Sequence, residues 1–333
     1  MATLADVARR AAVSKGTVSR VLNNKMNMPI SQPTIERIRQ AAEELGYRPN
    51  ALARALATGK THVIGLFYGN MIDPHFARML EAVEAKARAL GYHLVVSSDL
   101  EGFQSEGRMD GLLLVGAPGE PLFASLPASR PMLFVSPSQG EDLRPNFVTW
   151  RDGEGVYRAI QHLTRLGHRH IAGLFGDYIA GEEPPRPRVA GFRRAIEDGE
   201  ATGYEYYGLH SADQIENGSL LARRLLRENR QITALFARND YLALGALQAL
   251  HEAGIAVPGR MSLISFGDSV LARGAYPRLT SVHTPFAEAG VLALEHLIER
   301  IDGESRDFPG VLLPITLTER DSCAPPPQAR QGQ

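Results

Sequence analysis

The stretch that most limits what this chain can fold into is Thr3 to Asn24, TLADVARRAAVSKGTVSRVLNN. Leu4, Val7, Ala8 and Ala11 recur at helical spacing and give one apolar face, with Asp6, Arg9 and Arg10 on the others. Ala12-Val13-Ser14 breaks that period. Ser14 is a good N-cap, and a second short helix from Lys15 buries Val18, Val21 and Leu22. Lys15, Gly16, Thr17, Ser19 and Arg20 then lie near the start of that helix and face outward. A reader of the DNA major groove needs this arrangement. Arg can bond a guanine edge bidentately, Lys can reach a base or a phosphate, and small residues permit close approach. An ordinary two-helix surface hairpin has the same apolar pattern, so the flanking sequence must decide.

Charge separates along the chain in the same sense. Residues 1–60 hold ten Lys+Arg against four Asp+Glu, net +6, while the remainder carries −7 and the whole chain −1. A small basic segment on a larger acidic body points to nucleic acid at one end only, and the acidic body repels DNA from its other faces. At 333 residues the chain has material for two or three domains. Its single cysteine, Cys323, excludes an internal disulfide and a Cys-rich metal site, which fits a reducing cytoplasm. The first apolar stretch is interrupted by Asp6, Arg9 and Arg10, so it is no signal peptide, and no run approaches the ~20 apolar residues of a membrane span. A cytoplasmic location is expected.

Beyond a polar loop with Pro29, Ser31-Gln32-Pro33-Thr34 reads as the cap of a third helix running through Leu45, with Ile35, Ile38, Ala42 and Leu45 inward and Gly46 as its stop. Asn50 can cap the short Ala-rich piece Ala51–Ala57, too short to be stable alone. Gly59-Lys60-Thr61 imitates the end of a P-loop, but Arg54 stands where that motif needs glycine and no strand precedes it. From Val63 the pattern becomes βαβα. Strands are expected at 63–67, 93–96, 112–115, 132–135, 171–175, 234–236 and 263–266, and helices at 76–90, 155–166, 189–197, 219–226 and 241–253. The fold class is therefore α/β, two doubly wound parallel-sheet lobes behind an all-α headpiece. No Gly-x-Gly-x-x-Gly follows a strand, and no Ser-His-Asp, Cys-His or paired-carboxylate motif is identifiable. His168-Arg169-His170 has no third ligand nearby and is read as cations closing a helix, so no catalytic residue, metal or cofactor is assigned. The tail 324–333, rich in Pro and Gln, is expected to be disordered.

Val13-Ser14-Lys15-Gly16-Thr17-Val18-Ser19-Arg20-Val21-Leu22-Asn23 resembles the DNA-reading headpiece of the lac repressor (LacI/GalR) family of bacterial transcription regulators. The resemblance runs over nearly all of residues 3–321 and implies a periplasmic-binding-protein-like core. It makes Thr3, Ser14, Lys15, Gly16, Thr17, Ser19, Arg20 and Asn23 the candidate DNA contacts of the headpiece. Many members have glycine in the turn where this chain has Ala12; a positive φ there costs an L-residue about 1 kcal/mol. Residues 50–57 look like the family's hinge helix, in which Leu56 wedges between base pairs, Ala53 allows close approach, and Asn50 and Arg54 assist at the groove. The implied domains are a headpiece over 1–60 and a core over 61–323. Lobe 1 spans 61–166 and 286–313, lobe 2 spans 167–285 and 314–323, and the crossings fall near Gly167, Thr284–Pro285 and Pro314–Leu317. One departure is the segment Leu100–Met109, where the family has a helix and this chain has a short Gly-containing link.

In the cleft between lobes the resemblance points to His75 and Phe76 stacking on a ligand ring, Arg188 gripping hydroxyls, and Asn239 and Asp240 pointing inward. Asn239 and Asp240 serve equally well as helix caps. Where the family offers an acid to sugar hydroxyls, this chain has Phe266-Gly267-Asp268, leaving Asp268 one position late. Arg186 and Arg238 accompany Arg188, and fewer acids with more guanidiniums favour an anionic ligand. The expected function is a sequence-specific repressor, a homodimer on operator DNA, controlled by a sugar, sugar acid or sugar phosphate. The tail has no heptads of Leu or Ile, so no tetramer is expected. The alternatives are an enzyme of small polar metabolites with an accessory headpiece, and a solute-binding transport component. The first lacks a nucleotide motif. The second is opposed by the basic headpiece.

Overall fold

Thr3 opens helix α1 (Leu4–Arg10) as its N-cap, in a capping box closed by Asp6. The structure is a computed structural model that describes residues 2–22, 30–47, 55, 59–68, 74–99, 109–116, 131–137, 143–176, 186–208, 213–303 and 308–327. They fall into two units, residues 1–62 and 63–333. In the first, α1 meets α2 (Lys15–Leu22) through a turn in which Ala12 has φ 51°. Both helices close on α3 (Gln32–Glu44) over Val7, Ala11, Val18, Val21, Ile35, Ile38 and Ala41. Arg37 Nε donates to the Ala11 carbonyl at 2.9 Å and ties α3 to the turn. Leu45, expected to point inward, is exposed, because α3 has ended and Tyr47 packs there instead.

The second unit holds two parallel sheets. The first contains β1 (Val63–Tyr68), β2 (His93–Ser97), β3 (Gly111–Val115), β4 (Met132–Pro137), β5 (Phe147–Trp150) and β11 (Val311–Leu312). Its order is β11-β5-β4-β3-β1-β2. The second contains β6 (His170–Gly176), β7 (Thr202–Tyr207), β8 (Ala234–Ala237), β9 (Ser262–Gly267), β10 (Thr280–His283) and β12 (Thr316–Thr318). Its order is β12-β10-β9-β8-β6-β7, with β12 antiparallel to β10. β1, β3, β6, β8 and β9 are nearly continuous apolar runs because both faces are buried.

Helices α4 (Pro74–Ala89) and α10 (Phe286–Asp302) lie side by side on the first sheet. Met79, Val83, Leu294 and Leu297 share one core with Ile64, Leu66, Leu113 and Leu133. The opposite face carries Phe67, Met109, Leu112 and Leu114. Met109, from the shortened link, covers Gly65, where a Cβ would come within 2.6 Å of its sulfur. Residues 100–108, where a helix was expected to be missing, lie outside the described residues. On the second sheet, α5 (Asp152–Arg165) and α6 (Pro187–Asp198) cover one face, and α7 (Gln214–Glu228) and α8 (Asp240–Glu252) the other; a short α9 (Val270–Gly274) follows β9.

Three expectations are corrected. Helix α5 packs on α6 and on β8, β9, β10 and β12, so residues 152–166 belong with the second sheet, not the first. The first crossing between lobes is therefore at Arg151, immediately after β5, rather than near Gly167. The chain also keeps defined structure past Cys323 as far as residue 327, while 328–333 lie outside the described residues. Ala324 donates to Ser262 Oγ at 3.0 Å and its carbonyl accepts from Ser262 Oγ at 2.9 Å. His168, expected on a helix end as a cation, is buried in that same junction. Its ring nitrogens lie 2.8 Å from Thr233 Oγ1 and 2.9 Å from the Ala324 carbonyl, and burial holds its pKa below the ordinary imidazole value. Arg169 does meet the helix end, donating to the Thr164 carbonyl at 2.9 Å.

Candidate functional site

The headpiece presents the start of α2 to solvent. Ser14, Lys15 and Gly16 are exposed, and Thr17, Ser19 and Arg20 are half-buried beside them. Ser14 Oγ accepts from Thr17 N at 3.1 Å, so the cap is formed by the residue expected to form it. Gly16 answers no internal demand: an added Cβ would meet only Ser14 Oγ, at 3.8 Å. Its smallness leaves room for something approaching from outside. Arg20 Nε donates to the Gly16 carbonyl at 3.2 Å, which lays the guanidinium along the outer side of α2. Thr3 Oγ1 is engaged with Asp6, donating to its carboxylate at 2.7 Å. Asn23, Asn50, Ala53, Arg54 and Leu56 lie outside the described residues.

In the core, the candidate residues lie at or near the carboxyl ends of strands of both lobes. Arg188, in the first turn of α6, is the centre of the site. Its Nε donates to Asp152 Oδ2 at 2.9 Å and its Nη1 to the Arg238 carbonyl at 2.7 Å, and its guanidinium lies 3.9 Å from the centroid of the Phe266 ring. Asp152 stands at the first crossing, nearly fully buried, and its other oxygen accepts from Trp150 Nε1 at 2.9 Å. The Trp150 ring is 5.1 Å from that of Phe286, which opens α10 beyond the second crossing. His75, at the start of α4, lies 6.1 Å from Phe286 and reaches Gly267 at the end of β9. Thus His75 and Arg188 converge on consecutive residues of β9.

The side chains of the other candidates are engaged elsewhere. Phe76 is in the core of the first lobe, stacked on Tyr68 at 4.0 Å, because helix α4 turns it down onto the sheet. Asn239 is the N-cap of α8, its Oδ1 accepting from Leu242 N at 2.8 Å. Asp240 is buried, with Ser269 N at 2.7 Å and the Ser281 hydroxyl at 3.2 Å donating to its two oxygens. Asp268, at φ 60°, is bonded to Arg320, to His283 Nδ1 at 3.3 Å and to Thr318 Oγ1 at 3.4 Å. Burial would raise its pKa, but hydrogen bonds from His283 and Arg320 outweigh that and hold the carboxyl below the ordinary value. Arg238 donates to Gln214 Oε1 at 2.9 Å, and Arg186 is exposed at the N-cap of α6.

Asp152 and Trp150 are the residues that local motifs missed. Their signal is position at the carboxyl end of β5, a strand too short and too mixed in Phe147-Val148-Thr149-Trp150 to stand out. Among the described residues no three His, Cys, Asp or Glu side chains are grouped to hold a metal, and no helix is long and apolar enough to cross a membrane.

A three-helix unit with a helix-turn-helix and a core of two parallel-sheet lobes define a class: an α/β core carrying a helix-turn-helix headpiece. Comparison with known proteins gives the family. The profile for bacterial regulatory proteins of the lacI family matches residues 3–50, and that for a periplasmic binding protein-like domain matches residues 160–323. The HTH-type transcriptional repressor PurR of Aliivibrio fischeri is 34% identical over 324 residues, covering 92% of this chain and 95% of its own. The structure of the lac repressor dimer bound to operator and the anti-inducer ONPF superposes with a TM-score of 0.79 at 28% identity, over 97% of this chain and 99% of that one. The complex of the transcriptional regulator CelR with cellobiose gives a TM-score of 0.66 at 27% identity, over 97% and 100%. The chain belongs to the lacI family of bacterial regulatory proteins. It is a DNA-binding regulator of transcription, not an enzyme.

Proposed function

We propose that this protein is a repressor that binds operator DNA as a homodimer and is controlled by a small carbohydrate-derived effector in the cleft between its lobes. The exposed end of α2 carries the DNA reading, with Ser14, Lys15, Gly16, Thr17, Ser19, Arg20 and Asn23 at the major groove and Thr3 beside them. The segment 50–57 is the hinge, with Leu56 as wedge and Asn50, Ala53 and Arg54 at the groove. The headpiece then extends to about residue 60. Arg20→Ala should cost about 1–3 kcal/mol on a DNA site selected from a random pool, with little loss on random DNA. Fluorescence anisotropy on both DNAs checks this; equal losses would make Arg20 a phosphate contact.

The observation that carries the effector reading is Arg188, fixed on three sides by Asp152, Phe266 and the Arg238 carbonyl. The acids nearby on the second lobe are committed elsewhere, Asp240 to Ser269 and Ser281, Asp268 to Arg320 and His283. That balance supports a sugar acid or sugar phosphate, bound by Arg188 with Arg186 and Arg238 at the approaches. The likeness to a cellobiose complex supports the carbohydrate class. One observation favours a neutral sugar: Asp152 already neutralises Arg188. Calorimetry of the full chain with glucose, gluconate and glucose 6-phosphate separates the two. Tighter binding of glucose would end the anionic reading.

A further inference from the structure

The contacts that distinguish an open from a closed cleft are those that cross it, and one of them depends on a missing side chain. Gly267 ends β9 on the second lobe with φ 130°, a conformation L-residues rarely adopt. A Cβ built there would collide with His75 Nε2, come within 3.0 Å of His75 Cε1, and lie 3.2 Å from Asp240 Oδ2. His75 belongs to α4, on the first lobe. Its imidazole edge therefore occupies the space that the side chain of residue 267 would need. The floor beneath it is rigid, because both Asp240 oxygens accept hydrogen bonds, from Ser269 N and from the Ser281 hydroxyl. Phe286, at the second crossing, lies 6.1 Å from the imidazole centroid.

We propose that His75 and Gly267 are a matched pair across the cleft, in which the imidazole of one lobe seats on the bare backbone of the other and sets lobe closure. The pair also fixes the chemistry of this corner. A carboxylate at position 267, which would accept bonds from sugar hydroxyls, has no room while His75 is seated. The inference rests on reading this cleft as the effector site, but its main test needs no effector.

That test is a double-mutant cycle in the full-length chain without ligand, using His75→Ala, Gly267→Ala and the double variant. Gly267→Ala should lower the melting temperature by about 4–8 °C, from backbone strain and collision together. In the His75→Ala background the same substitution should cost roughly half as much, since only strain remains. An equal loss in both backgrounds overturns the pair. A second readout comes from the chain's single tryptophan, Trp150, whose ring packs 5.1 Å from Phe286 at the same corner. His75→Ala, which removes no core residue, should increase quenching of Trp150 by acrylamide as the cleft loosens; unchanged quenching overturns the proposal even if Gly267→Ala fails to fold. Titration of wild type and His75→Ala with glucose 6-phosphate adds the ligand arm. If wild type ignores this probe but the cycle is non-additive, the anionic reading fails and the pair stands.

Discussion

Single residues in this chain are legible as local physics, and their tests are correspondingly simple. Ala12 sits at φ 51°, as its place in a turn that favours glycine implied. Ala12→Gly should therefore stabilise the headpiece by about 0.5–1 kcal/mol, the relief of left-handed strain less the added freedom of the unfolded chain. Melting followed by circular dichroism would show it, and a lower melting temperature would mean the turn is unstrained. Arg188→Ala should leave affinity for DNA intact and abolish the effector response, because the charge-assisted contact to the effector is lost. A response of normal size would remove Arg188 from the site. His168 titrates the other way from a salt-bridged histidine. Burial, the largest influence, lowers its pKa against the opposing bond to Ala324, so the unfolded chain takes up the proton first as pH falls. Its contribution to stability is present above about pH 6.5 and is lost on acidification below it. His168→Gln should flatten that loss in urea titrations across the range; an unchanged slope would place the proton uptake elsewhere.

At the scale of elements, helix pairs are set by small residues that no hydrophobic pattern reveals. Gly191 of α6 lies so close to α5 that an added Cβ would collide with the Gly153 carbonyl. Gly191→Ala should destabilise the core by about 2–3 kcal/mol, since backbone rather than a pliable side chain must move. Thermal unfolding checks it, and a loss under about 0.5 kcal/mol would show that the helices slide freely. Strands divide by the same logic. β1, β3, β6, β8 and β9 announced themselves as apolar runs. β10 did not, because its buried Thr280 and Ser281 are satisfied by Ser322, Arg320, Ser265 and Asp240 rather than by apolar neighbours. β7 is a half-exposed edge strand, Thr-Gly-Tyr-Glu-Tyr-Tyr, whose Glu205 is held by Arg193 at 2.7 Å and by Tyr207 at 2.7 Å. Helix α10 has a clear apolar face in Ala289, Ala293, Leu294, Leu297 and Ile298, and its pattern was available to be read.

At the scale of the whole molecule, the reading as a dimer needs a surface. Leu247, Gln248, His251, Ile255, Ala256, Val257, Tyr276 and Pro277 line a groove of about 360 Å³ on the second lobe, and Tyr276 is 95% exposed beside it. An exposed aromatic rimming an apolar groove suits a second copy of the same surface. Tyr276→Lys with Leu247→Lys should shift the protein toward monomer in sedimentation at micromolar concentration and weaken operator binding with it. A dimer of undiminished stability would put the interface elsewhere.

The sequence by itself determined the class of this protein. Helical spacing, the Ser14 cap, the basic first 60 residues and the βαβα run are local or compositional properties, and local physics is sufficient to read them. Tertiary structure decided which polar residues are left for a ligand. Asp240 and Asp268 looked available until folding placed Ser269, Ser281, His283 and Arg320 around them, and Phe76 until α4 turned it into the core. Conversely, Asp152 had no motif, yet the crossing from β5 to α5 carries it to Arg188 across 36 residues of sequence. A buried polar group must find its partner in space, and partners brought together by a crossover are distant in the chain. The side chain that is absent at Gly267 gains its meaning only when His75 arrives from the other lobe.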